Sequence, residues 1–189
     1  VTTTTSAPPR RERLLTVAAT LFADRGYHDV GIDDIGAAAG ISGPGIYRHF
    51  AGKQALLEVL CDRGMTQMLD GAHAAVVGRV EPLAALEALL DLHVRFAVEE
   101  RALIVVWTRE TPALSEEVRR SLRRRMKAYE DQWAAVLTPL RPDLQPAEVR
   151  AVAVLALTLL NGSAVSSLRV APAVRARLLR QMTRSALLH

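Results

Sequence analysis

The sequence predicts an all-α protein of about nine helices, and three observations carry that prediction. Apolar residues recur three and four apart along almost the whole chain, the spacing of one helical face. Gly and Pro fall between the periodic stretches, where they start and stop helices. No alternating apolar and polar run is long enough for a useful strand. With 189 residues, 50% hydrophobic and 23% charged, the chain has the material of an ordinary globular core.

The elements follow in order. Residues 1–9 are Thr-, Ser- and Pro-rich and read as a disordered tail. They lack the apolar stretch of a signal peptide, which points to a cytoplasmic protein. A first helix is expected from Pro9 to Asp24, with Leu14, Leu15, Ala18, Leu21 and Phe22 as its stripe and Arg25-Gly26 as its stop. Two short segments come next: Ile32–Ala39, between Gly31 and Gly40, and Ser42 to His49. A fourth helix runs from Lys53 to about Val77 on Leu56, Leu57, Leu60, Met65, Met68 and Leu69. Pro82 opens a fifth, whose stripe is Leu83, Leu86, Leu89, Leu90, Val94 and Ala97. Residues 101–110 form a shorter apolar helix that ends before Pro112. From Ser115 to Thr138 a single face carries Val118, Leu122, Met126, Tyr129, Trp133 and Val136. Ala147 to Arg169 is apolar nearly all round, and Pro172 opens a last helix to Leu188.

Several function classes lose ground on this composition. One cysteine, Cys61, rules out an internal disulfide framework, and the five His show no metal-ligand spacing with it or with the acids. Neither a metal nor a cofactor is expected. Gly40-Ile41-Ser42-Gly43-Pro44 comes near the Gly-x-Ser-x-Gly nucleophile elbow, but the fifth residue is Pro and no strand precedes it. No catalytic set accompanies it, so an enzyme is not expected. The stretch Ala151–Leu168 is uncharged and long enough for a membrane span. Thr158, Asn161, Gly162, Ser163, Ser166 and Ser167 crowd its second half, which favours a helix buried between its own domain and a partner subunit.

The basic pI of 9.8 is not itself an argument for nucleic acid. Residues 1–53 hold six Arg/Lys against five Asp/Glu, while residues 101–127 hold eight against three. The informative segment is Ile32 to Phe50. Gly40 supplies the positive φ that a steep turn between two short helices needs. Ala37, Ala38 and Ala39 are small enough for close packing, and Ile32, Ile35, Ile41, Ile46 and Phe50 supply a miniature core. Ser42 suits an N-cap and Pro44 the first turn behind it.

This segment resembles the DNA-binding head of the tetracycline-repressor (TetR) family. The resemblance rests on Ile35-Gly36, Ala37–Ala39, Gly40, Ile41, Ser42, Ile46-Tyr47, Arg48, His49-Phe50 and Lys53, within residues 10–57. It implies a helix-turn-helix domain over residues 10–53 and a ligand-binding and dimerisation domain over 54–189. Carried over by position, Tyr47, His49 and Lys53 would hold phosphates, while Ser42, Gly43, Pro44, Gly45 and Arg48 would face base edges. Arg10, Arg11 and Arg13 would add contacts from the N-terminal arm. The chain departs from the pattern at Gly31, where a Ser/Thr cap is usual, and in its Gly- and Pro-rich residues 43–45.

The resemblance further implies a repressor: a homodimer, joined through its last two helices, that binds a palindromic double-stranded operator and is released by a small molecule. A regulator that needs no effector, or needs a corepressor, is the alternative. Candidate ligand residues are those polar or aromatic side chains that interrupt apolar stripes: His93, Trp107, Tyr129, Trp133, Thr158 and Asn161. Arg119, Arg120, Arg123, Arg124 and Lys127 read as a solvated face, while Arg125, at the border of the stripe, joins the candidate ligand residues. That basic run beside Trp107 and Trp133 is similar in layout to acyl-CoA-responsive members of the family. The effector is therefore expected to be lipophilic or anionic.

Overall fold

Nine α-helices run through residues 9–189, the part described by the computed structural model. The tail expected over residues 1–9 lies outside the described residues except for Pro9, which precedes the first helix. Helix α1 (Arg10–Arg25) stops where Gly26 takes φ 88° and its N–H returns to the Phe22 carbonyl. Helix α2 (Ile32–Ala39) has no hydroxyl cap. Asp34, at the third helical position, instead accepts the N–H of the Gly31 N-cap through Oδ2 at 2.8 Å. Gly40 ends α2 in the left-handed region at φ 64°, and α3 (Gly43–Tyr47) follows at once. Leu14, Leu15, Ala18 and Phe22 of α1 bury against Ile35, Ile46 and Phe50, which closes the head.

The remaining helices are α4 (Lys53–Val76), α5 (Pro82–Glu99), α6 (Arg101–Glu110), α7 (Glu116–Leu137), α8 (Pro146–Val165) and α9 (Pro172–Leu188). Ser115 caps α7 by accepting the Val118 N–H at 3.3 Å. Helix α4 packs on α5, α6 and α7, while α8 and α9 lie against each other and against α5. The other side of α6 lies on α1, so one short helix touches both the head and the larger body. Tyr129 and Trp133 are the largest fully buried side chains.

Helix α8 ends at Val165, short of the expected Arg169. Ser166 turns to extended backbone, and its hydroxyl bonds the Ser163 carbonyl at 2.8 Å. By length and composition α8 is apolar enough to cross a membrane, yet it packs against α6, α7 and α9. What it leaves open faces outward with α9: Leu155, Val174, Leu178 and Met182 are all exposed.

Candidate nucleic-acid interface and ligand cavity

The leading end of α3 points to solvent. Ser42, Pro44, Tyr47, Arg48 and His49 are exposed, and Ile46 and Phe50 anchor the opposite side of the turn. Ser42 occupies the N-cap position, but its hydroxyl makes no cap hydrogen bond and stays open to solvent. Gly43 and Gly45 are half-buried, and Gly45 lines a surface cleft together with Ser42, Pro44 and Arg48. A Cβ on Gly45 would come within 2.9 Å of Ile41 Cγ2, so the turn admits no side chain there without a shift. At Gly36 the turn and α3 come close to α2: a Cβ there would stand 2.7 Å from the Ile41 carbonyl oxygen and 3.0 Å from Ile46 Cδ1. Of the three alanines expected to permit that close packing, Ala39 is buried, while Ala37 and Ala38 are exposed.

Lys53 is tied to the head. Its ammonium donates to the Tyr27 carbonyl at 2.8 Å and stands 4.3 Å from the Tyr27 ring centre. Next to it, Gln54 accepts the Tyr27 hydroxyl at 2.8 Å and donates to the Ala113 carbonyl, just beyond α6, at 3.3 Å. Sequence reasoning did not single out Gln54, because a lone polar residue in a first helical turn carries no signal of a partner 59 positions away.

In the larger body a cavity of about 40 Å³ lies between α4, α5, α6, α7 and α8. Leu60, Cys61, Gly64, Met65 and Met68 of α4 form one wall, and Leu103, Ile104 and Trp107 of α6 another. Polar groups enter it from three helices. Tyr129 donates its hydroxyl to His93 Nδ1 at 2.9 Å, and His93 Nε2–H donates to Asn161 Oδ1 at 3.0 Å. Burial pushes His93 down to about 4 against the Asn161 hydrogen bond, so the imidazole is neutral. Burial likewise drives the Tyr129 phenol upward and the Cys61 thiol up to about 12. The cavity is therefore apolar and uncharged, with one internally satisfied polar chain.

The other sequence candidates fall elsewhere. Trp133 is fully buried against the rings of His93 and Tyr129, off the cavity wall. Thr158 is exposed and bonds the Val154 carbonyl at 2.8 Å. With Trp107, Asn161 and Arg119 it lines an open groove of about 550 Å³, so Trp107 and Asn161 partition groove from cavity. Arg125 docks α7 on α4, donating to Asp62 at 2.6 Å and to Thr66 at 2.5 Å. Arg119, Arg120 and Arg123 gather round Glu116 at the exposed start of α7.

A helix-turn-helix head on a larger helical body defines a class, the helical DNA-binding transcription regulators. Comparison with known proteins narrows it. The family model for bacterial regulatory proteins of the tetR family matches residues 14–60, and the tetracyclin repressor-like C-terminal domain matches residues 79–165. The HTH-type transcriptional repressor KstR2 of Mycobacterium tuberculosis H37Rv is 31% identical over 143 residues, 71% of each chain. The activator FasR of Mycolicibacterium smegmatis is 37% identical over 86 residues, 43% of this chain but only 39% of FasR. Among solved structures, KstR2 of Mycobacterium tuberculosis superimposes with a TM-score of 0.84 over 96% of this chain and 95% of that one, at 24% identity. AibR, solved in complex with isovaleryl coenzyme A and operator DNA, gives 0.76 at 21% identity, over 92% of this chain and 97% of its own. The chain belongs to the TetR family of bacterial transcription regulators.

Proposed function

We propose that this chain is a cytoplasmic transcriptional repressor that binds a palindromic operator as a homodimer and is released when a small lipophilic effector enters the cavity. The observation that carries the reading is the course of α4. Its first turn is fastened to the DNA-binding head through Lys53 and Gln54, and its middle, Leu60 to Met68, walls the cavity. Ligand and DNA then act on one rigid element, and their coupling is a difference in affinity between two conformations.

At the head, Ser42, Pro44, Arg48 and the backbone of Gly43 and Gly45 face the major groove, while Tyr47, His49 and Lys53 hold phosphates. Lys53 spends one of its three donors on Tyr27 and keeps the others for DNA. The exposed Leu155, Val174, Leu178 and Met182 of α8 and α9 supply the apolar centre of a two-fold four-helix interface. Two heads held in this way meet a palindrome with half-sites about one DNA turn apart.

The cavity holds no more than a few waters as it stands, so a ligand must displace side chains to enter. Met65, Met68 and Met126 are the flexible ones. A coenzyme A thioester suits the site, with the acyl group inside and the carrier in the Trp107–Thr158 groove beside Arg119. The complex of AibR with isovaleryl coenzyme A supports that class.

Fluorescence anisotropy of the full-length protein on a duplex from the promoter of its own gene tests the reading. Nanomolar binding at low salt, weakened by coenzyme A thioesters, is expected; equal binding to a random duplex refutes it. A thioester that tightens binding instead favours the corepressor alternative.

A further inference from the structure

The head contains five arginines, Arg10, Arg11, Arg13, Arg25 and Arg48, and their surroundings divide them sharply. Arg11 lies over the Phe50 ring at 5.2 Å and pairs with Glu12 at 3.7 Å. Arg25 pairs with Asp34 at 3.6 Å and donates to the Asp29 carbonyl at 3.2 Å. Among the described residues, the side chains of Arg10, Arg13 and Arg48 have neither an ion pair nor a hydrogen bond, and all three are exposed. They converge on one cleft of about 260 Å³ between the start of α1 and the face of α3, floored by Ser42 and Pro44.

Reading a base pair in the major groove takes donors and acceptors at fixed spacing, and the commonest specific contact is a guanidinium fork on guanine O6 and N7. The first turn of α3 cannot supply such a contact. Gly43 and Gly45 have no side chain, and Ile41 and Ser42 crowd Gly45 so closely that one would fit only with a shift. Pro44 is apolar, so Ser42 contributes the turn's one polar side chain, a single hydroxyl. Of the exposed side chains at the end of α3 and just beyond it, Tyr47, Arg48 and His49, only Arg48 presents two parallel donors.

We infer that Arg48 is the specificity-determining residue and reads one guanine in each half-site, while Arg10 and Arg13 clamp the neighbouring phosphates. This rests on the DNA-binding reading above and adds which side chain discriminates and which base it selects. The glycine-proline turn contributes shape, letting the backbone of α3 come close to the groove so that Arg48 reaches the base edge.

In vitro selection from a random duplex library, with the full-length protein, tests the inference and needs no operator sequence to begin from. The wild type is expected to enrich a two-fold motif with one guanine fixed per half-site. Arg48→Ala and Arg48→Lys lose roughly 10- to 100-fold discrimination at that position, lysine because it keeps the charge without the fork. Arg13→Ala keeps the motif but binds every sequence more weakly, with a salt slope smaller by about 1. Circular-dichroism melts establish that each variant is folded. Arg48→Ala selecting the same guanine, or weakening all sequences equally, overturns the inference alone. A wild type that enriches no motif overturns it together with the DNA-binding reading.

Discussion

His93 makes the stability of this protein fall on mild acidification, by an amount that follows from its surroundings. The imidazole is wholly buried among Tyr129, Asn161 and Trp133, and no carboxylate lines the cavity beside it to stabilise a proton. Desolvation lowers it from 6.5 to about 4. Between those values the unfolded chain takes up a proton that the folded chain refuses, so stability is full above the unfolded value and declines as pH falls. Each pH unit of that window corresponds to about 1.4 kcal/mol, so its whole width is worth about 3 kcal/mol, of which about 2 is lost between pH 7 and about pH 4.5. Urea unfolding of the wild type and His93→Gln across that range isolates the effect. Glutamine is expected to lower stability at pH 7, yet flatten the decline by about 2 kcal/mol. Acid effects from carboxylates such as Glu116 and Asp143 are common to both proteins and cancel in the difference. Parallel curves for the two proteins would refute the neutral, buried imidazole.

Three further outcomes are expected. Gly40→Ala places a side chain at φ 64° with open space around it, so backbone strain alone lowers stability by about 1 kcal/mol, measurable by chemical denaturation. Cys61, buried with its thiol pushed up to about 12, does not react with an aromatic disulfide reagent at pH 8 until denaturant is added; prompt native reaction contradicts that placement. Leu155→Glu combined with Met182→Glu, at positions 67% and 55% exposed, leaves the fold intact and converts the proposed dimer to monomer in sedimentation velocity; an unchanged sedimentation coefficient refutes that interface.

The helical elements were legible in the sequence because most have one apolar face, and periodicity reads such a face directly. The short head was legible for a different reason: Gly40 and Gly26 occupy positive φ, and a glycine at a turn is visible without coordinates. The side chains that organise the site were harder to read. Helix α8 is apolar on nearly every side, so its sequence has no phase to tell inward from outward. Thr158 turns out exposed, while Asn161 on the same helix reaches His93. The His93–Tyr129–Asn161 chain joins α5, α7 and α8, and one sequence shows three polar residues on three stripes without showing that they meet. Arg125 borders an apolar stripe, which in sequence is the mark of a ligand residue. That border is the seam with α4, where Asp62 and Thr66 receive it.

On the proposed reading, coupling between effector and operator follows from how little room the body leaves. A cavity of about 40 Å³ cannot admit an acyl group unless its walls move, and two of those walls belong to helices that touch the head. Rotamer changes at Met65, Met68 and Met126 absorb the first part of the volume. Beyond that, α4 or α6 must shift, because tightly packed helices move as units rather than compress. Helix α4, 24 residues and about 36 Å long, carries such a shift to Lys53 and Gln54. Gln54 also bonds the carbonyl of Ala113 after α6, so displacement of either wall reaches Tyr27 through the same side chain. The two routes converge at the hinge between body and head, where a small rotation is multiplied across the distance separating two recognition helices on one operator. An effector that fits inside the existing space would bind without regulating, so the smallness of the cavity makes occupancy and release of DNA a single event.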